Sequence, residues 1–110
     1  MTEEYSEIGG ARWGQTYLAS WNATWPFATL QVSAQRIQIK IRLFWLEVET
    51  FIFNRQENVL MEKYESIFTT GLLVKHSKKQ HPPFIVFWTF DYPKLKNSLE
   101  QFGYQVTEHN

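Results

Sequence analysis

Residues 36–43 read Arg-Ile-Gln-Ile-Lys-Ile-Arg-Leu, and this stretch decides the fold class. Isoleucine or leucine occupies every second position, while charged or amide side chains occupy the positions between them. Successive side chains of a β-strand point to opposite faces, so this period of two predicts a strand with one face on the core and one in water. A helix would scatter the same apolar residues around its circumference.

Further short strands are predicted on both sides of this segment. The neighbouring segments are rich in β-branched and aromatic residues, which favour strands. Polar turns, glycine and proline separate them. The predicted strands are residues 17–21, 27–32, 36–43, 48–54, 59–65, 72–76 and 84–90. About seven short strands joined by turns predict a mainly β domain of antiparallel strands.

One helix is predicted near the C-terminus, over residues 92–102. Asp91 is the expected N-cap, and Pro93 lies in the first turn, where its missing N–H has no cost. A single apolar stripe at i, i+4 and i+7 is formed by Leu95, Leu99 and Phe102. Gly103 then supplies the C-terminal cap. Because the strand over residues 84–90 is apolar on both faces, we expect the helix to cover its second face.

The composition excludes several classes of function. The chain has 110 residues, of which 44% are hydrophobic and 17% aromatic, so it predicts one domain with a sizeable core. It contains no cysteine, which excludes disulfides, thiol nucleophiles and cysteine-type zinc sites. Eleven basic residues balance eleven acidic ones. Nucleic-acid binding usually needs a basic excess, so we expect none here.

The chain is predicted to consist of a tail and one domain. Residues 1–14 are polar and rich in glycine, which predicts a flexible tail, and residues 15–106 form the predicted domain. No segment approaches the roughly 20 apolar residues of a membrane-spanning helix. The first dozen residues also lack the apolar run of a signal peptide. We therefore expect a cytoplasmic protein without a transmembrane segment.

The stretch from Phe27 to Ile39 resembles the paired opening strands of GRAM-type domains, in which a Leu-x-Val-Ser pattern turns into Arg-Ile-x-Ile. Asn54 to Lys63 is similar to the polar turn and following strand of those domains. The order of elements, over about residues 17–102, resembles the pleckstrin-homology-like superfold. That resemblance implies two packed antiparallel sheets, as a sandwich or partly open barrel, capped by one C-terminal helix. A lipocalin-like or other small barrel is the alternative. Function does not follow, because this superfold hosts headgroup binding, peptide binding and scaffolding.

The resemblance also implies a candidate site for an anionic lipid headgroup. Phosphoinositide-binding members carry Lys-x-Arg on the second strand of a hairpin, and Lys40-Ile41-Arg42 matches that fragment. The candidate patch comprises Arg36, Lys40, Arg42, Lys75, Lys78 and Lys79. The hairpin loop at residues 33–35 departs from the pattern because it has no cation, although a phosphate cradle needs several converging donors. A solvated strand face is the competing interpretation.

Aromatic residues form the most distinctive local feature, Trp21 and Trp25 with Pro26 and Phe27. Core packing is the favoured interpretation, because a small β domain needs large side chains to fill its interior. The alternative is a hydrophobic contact surface for a partner. Its candidate residues are Trp21, Trp25 and Trp88.

Nothing in the sequence predicts catalysis. The three histidines are too few, and too exposed in their sequence context, to build a site unaided, and there is no Gly-x-Ser-x-Gly motif or glycine-rich phosphate loop. The pair His76 and His81 could hold a metal only with carboxylates brought by the fold. We expect no enzyme activity, metal or cofactor. Three hypotheses follow: a module that binds a protein, a peptide or a second copy; recognition of an anionic membrane surface; and small-ligand binding in a barrel cavity.

Overall fold

The computed structural model describes residues 3–108, and within them it contains eight strands and one helix. The elements are β1 Tyr5–Gly14, β2 Ser20–Val32, β3 Arg36–Leu43, β4 Leu46–Asn54, β5 Leu60–Glu65, β6 Thr70–Lys75, β7 Phe84–Thr89, α1 Tyr92–Gln101 and β8 Val106–Thr107. All eight strands belong to one open sheet in the order β4-β3-β2-β1-β7-β6-β5-β8. The mainly β fold with a C-terminal helix is confirmed. Two separate packed sheets are not confirmed, because every strand is hydrogen-bonded into this one sheet.

The alternation predicted for residues 36–43 is present in β3. The side chains that it buries are Ile37, Ile39 and Ile41. Arg36 and Arg42 are exposed, as the pattern predicts. Two residues depart from the pattern: Gln38 is buried, whereas Leu43 is 44% exposed. The core face of β3 therefore ends before the strand does.

β1 lies between β2 and β7, so the predicted flexible tail over residues 1–14 is wrong for this segment. Its pairing with β2 is interrupted after Gly9, where residues 24–27 of β2 have no partner on β1. A Cβ atom on Gly9 would lie 2.2 Å from the backbone oxygen of Trp88. Glycine is thus needed here because two backbones approach closely, and not because the segment is loose.

One hydrophobic core includes side chains from both halves of the sheet, that is from β4 to β1 and from β7 to β5, and from α1. The helix contributes Leu95 and Leu99, and β7 contributes Ile85 and Phe87. The opposite face of β7 is covered by aromatic rings, since the ring of Tyr64 lies 5.8 Å from that of Phe84 and 5.9 Å from that of Trp88. The helix therefore packs on the core face of β7, and the prediction that it covers the second face is wrong.

The ends of α1 follow the predicted capping signals. Asp91 accepts a hydrogen bond from the backbone N–H of Lys94 at 3.3 Å, as an N-cap does. After the helix, Gly103 adopts φ +88°, a conformation that favours glycine. The chain then adds β8, which pairs parallel to β5 and was not predicted.

Candidate functional site

The hairpin of β3 and β4 carries at its end four consecutive large apolar residues that are exposed, two in the turn and one at the end of each strand. The exposed fractions are 44% for Leu43, 79% for Phe44, 90% for Trp45 and 61% for Leu46. Turns usually carry small or polar residues. A contiguous apolar patch marks an interaction site more often than a single exposed apolar residue does. We call residues 43–46 the hairpin tip.

A groove of about 620 Å³ lies beside the hairpin tip. Its apolar lining includes Trp13, Trp21, Phe27, Ile41, Leu43 and Val48. Glu49 lines the same groove and supplies its one carboxylate. The ring of Phe27 meets that of Phe44 at 6.1 Å, so groove and tip are in contact. The volume falls within the range of about 300–1,000 Å³ that is typical of ligand sites. We call this cavity the hairpin groove.

The three predicted contact tryptophans do not line one common cavity. Trp21 is 73% exposed and lines the hairpin groove. Trp25 is 54% exposed and lines a neighbouring cavity of about 510 Å³ with Trp88, which is half-buried and donates from Nε1 to Oδ1 of Asn22. Core packing, the favoured interpretation from the sequence, is wrong for Trp21 and Trp25. The two cavities adjoin at Asn22 and Thr24, which line both.

The six cations of the predicted headgroup patch do not form one free basic surface. Three of them pair with carboxylates, at N···O distances of 3.8, 2.7 and 3.3 Å: Lys40–Glu47, Lys75–Glu62 and Lys78–Glu57. Arg36 and Arg42 lie at opposite ends of β3, and Lys79 is exposed in the loop after β6. Half of the patch is therefore neutralised in place. Converging phosphate donors are not assembled by these residues.

Side chains of the loop over residues 76–83, and Glu57 from the connection between β4 and β5, cover part of the free edge of β4. The backbone N–H of Ile52 donates to Nε2 of His81 at 3.2 Å, and Nζ of Lys78 donates to the carbonyl of Ile52 at 2.8 Å. The N–H of Asn54 donates to the carboxylate of Glu57 at 2.9 Å. Side chains thus occupy the place of a neighbouring strand, which is one way of protecting an edge from other chains. We call His81, Lys78 and Glu57 the β4 cap.

The geometry of the β4 cap fixes the protonation of its histidine. Because Nε2 of His81 accepts the Ile52 N–H, that nitrogen carries no proton. Burial, with a smaller contribution from the nearby charge of Lys78, lowers the pKa of His81 below its usual value. In the same loop, Nδ1 of His76 accepts the N–H of Lys78 at 2.9 Å. Both rings pack on Phe53, with centroids at 4.8 and 5.3 Å.

Sequence reasoning missed both the hairpin tip and the β4 cap. A signal for the tip was present, because Phe44 and Trp45 lie between two predicted strands, where turn residues were expected. The β4 cap has no comparable signal. His81 is 29 positions from Ile52, and the contact joins a side chain to a backbone group.

Comparison with protein-family models, with curated proteins and with solved structures finds no match to this chain. Within residues 3–108, no three histidine or carboxylate side chains are grouped so that they could hold a metal ion. In the same part of the chain, no helix is long and apolar enough to cross a membrane.

Proposed function

We propose that this protein is a non-catalytic interaction module that binds an apolar segment of a partner protein in the hairpin groove. The observation that carries this proposal is the hairpin tip, four consecutive large apolar side chains that the fold leaves in water. Covering such surface is favourable by roughly 25 cal/mol per Å². Aromatic anchors, tryptophan above all, supply a large share of the binding energy in protein interfaces.

The surroundings of the hairpin tip favour a protein partner over an anionic membrane surface. Lys40 and Arg42 precede the tip, whereas Glu47 pairs with Lys40 and Glu49 lies three positions after the tip. The charges beside the tip therefore balance and offer no basic surface to anionic lipid. A concave groove also suits an anchoring side chain better than a flat bilayer. Glu49 has no ion pair among the contacts of the described residues, so a basic residue beside the anchor would complement it. The expected partner segment thus carries a large apolar residue and a neighbouring lysine or arginine.

We also infer that the domain has the pleckstrin-homology-like architecture suggested by its sequence. Seven strands precede the C-terminal helix, and β1 pairs with both β2 and β7. One core shared by both halves of the sheet supports this inference. Peptide binding is among the activities that this superfold hosts, so the architecture is compatible with the proposed function without assigning it.

Selection from a library of displayed random 12-residue peptides tests the proposed function at pH 7.5. We expect enriched peptides to share an aromatic or aliphatic anchor beside a basic residue. Val48→Glu and Trp45→Ser should each weaken their binding at least tenfold. Ile67→Ser is the matched control, because Ile67 is 90% exposed in the turn between β5 and β6 and should change affinity little.

Two outcomes of this experiment would overturn the proposal. One is peptide binding that Val48→Glu leaves unchanged, which would place the site elsewhere. The other outcome concerns membrane binding, which is measured by flotation of the protein with phosphatidylcholine vesicles that contain or lack phosphatidylserine. Vesicle binding that Trp45→Ser abolishes, without any peptide selected at the groove, would assign the hairpin tip to a membrane surface instead.

A further inference from the structure

We propose that the edge of β4 is a self-association surface, on which a second copy of this chain replaces the β4 cap when His81 is protonated. This surface adjoins the hairpin groove, because Glu49 lines the groove and also lies on β4, but the proposal goes beyond the function proposed above. It follows from the hydrogen-bonding groups along β4, from the residues that two copies would bring together, and from the chemistry of the cap.

The free edge of β4 presents a regular row of backbone groups. Both the N–H and the carbonyl of Ile52 point away from β3, since they bond to His81 and Lys78. Asn54 also points outward, with its carbonyl accepting the N–H of Glu57 at 3.0 Å. Because the direction alternates along a strand, the N–H and carbonyl of Thr50 lie on the same edge. Three alternate residues can therefore bond to an added strand.

The chain itself complements this row. When two copies are placed antiparallel with Ile52 opposite Ile52 of the second copy, Thr50 faces Asn54 of that copy. In the same register, Glu49 faces Arg55 of the second copy, so opposite charges meet at both ends of the paired segment. The guanidinium of Arg55 makes three hydrogen bonds in the monomer and has five donors, so it can also meet this carboxylate. Register and charge together favour a second copy over an unrelated strand.

The β4 cap holds only while His81 is neutral. Protonation of Nε2 would place a donor against the Ile52 N–H, and two donors repel. The charges of Lys78 and His76 oppose protonation of His81. Two carboxylates lie near: Glu49 lines a surface cleft together with His81, and Glu57 lies beside Lys78. While the β4 cap is in place, burial keeps the pKa of His81 below 6.5. Stabilisation by the cap is therefore complete above about pH 6.5 and is lost as the pH falls through the lower value.

Sedimentation velocity of the full chain at pH 7.5, 6.5, 5.5 and 4.5 tests this proposal. We expect a monomer at pH 7.5 and a mass that doubles as the pH falls below 6.5 across this series. His81→Gln keeps an acceptor for the Ile52 N–H but cannot be protonated, so it should stay monomeric throughout. Glu49→Arg should also stay monomeric, because it opposes a like charge to Arg55 of the second copy. Glu100→Arg makes the same charge change on the exposed face of α1 and should behave as the wild type.

Circular dichroism at each pH checks that the wild type and every variant are folded under the conditions of the sedimentation experiment. A folded wild type that remains monomeric over the whole series down to pH 4.5 would overturn the proposal. So would a His81→Gln dimer that forms over the same pH range as that of the wild type, or a wild-type dimer already complete at pH 7.5. The amide resonance of Ile52 provides an independent readout, which should shift with the titration of His81 in the wild type and remain fixed in His81→Gln.

Discussion

Arg55 bonds to the carbonyl of Gly103 from Nη2 at 3.1 Å, which ties the turn after β4 to the end of α1. From Nη1 the same guanidinium donates to the carbonyl of Phe102 at 2.7 Å, and it lies over the ring of Tyr104 at 4.5 Å. The last carbonyls of a helix have no partner within the helix. A side chain 48 positions away therefore satisfies the C-terminal end of α1.

Replacing Arg55 with lysine should destabilise the domain. We predict that Arg55→Lys lowers the free energy of unfolding by about 1–2 kcal/mol, because an ammonium group cannot reproduce the forked pattern of donors. Urea unfolding measures this loss. Arg36→Lys is the matched control, since the side chain of Arg36 is exposed in β3, and it should change stability by less than about 0.5 kcal/mol. Equal losses in the two variants would contradict a capping role.

Local patterns predicted β3 and α1 well. The period of two in β3 and the cap residues Asp91 and Gly103 act within a few positions of one another, so their effect on the backbone is visible in the sequence. The contact between Arg55 and Gly103 has no such signal, because it depends on how distant elements meet. The same reason hides the bond from Ile52 to His81. Long-range contacts between side chains and backbone groups thus account for much of what could not be predicted.

The loss of folding stability at low pH should depend on Glu57. Hydrogen bonding to the backbone N–H of Asn54, followed by the bond and charge of Lys78, lowers the pKa of Glu57 below 4.5. A carboxyl group with a lowered pKa stabilises the fold above its unfolded value, and this stabilisation is lost as the pH falls through the folded value. We predict that Glu57→Gln makes the free energy of unfolding less dependent on pH below about pH 5.

Urea unfolding at several pH values between 6 and 3 measures that dependence, with the proteins compared in the His81→Gln background, which is expected to stay monomeric. Glu3→Gln is the control, because Glu3 is exposed near the start of the described chain and should leave the slope unchanged. The same acid slope in this background with and without Glu57→Gln would show that the carboxylate of Glu57 has no preferential role in the folded state.

Gly9 should tolerate no side chain. The glycine-rich composition of residues 1–14 suggested a tail, since the sequence cannot show that a neighbouring backbone lies against Gly9. A Cβ atom there would be 2.2 Å from the carbonyl oxygen of Trp88, and a backbone atom cannot move aside as a side chain can. We predict that Gly9→Ala lowers the free energy of unfolding by about 2–3 kcal/mol. Ser6→Ala, at an exposed position of the same strand, should be nearly neutral; a neutral Gly9→Ala would restore the tail interpretation.

Trp13 and Trp21 are the same residue type, but Trp13 belongs to the core and Trp21 to the proposed contact surface. They face each other across the β1–β2 pair, yet Trp13 is 8% exposed and Trp21 is 73% exposed. The sequence favours core packing for Trp21 because a small β domain needs large side chains to fill its interior, and only the fold decides which tryptophans the core includes. We predict that Trp13→Ala lowers the free energy of unfolding by about 3–5 kcal/mol. Trp21→Ala should change it by less than about 0.5 kcal/mol while weakening the peptides selected at the hairpin groove. Chemical unfolding of both variants checks the pair, and a large loss of stability in Trp21→Ala would return that side chain to the core and remove it from the site.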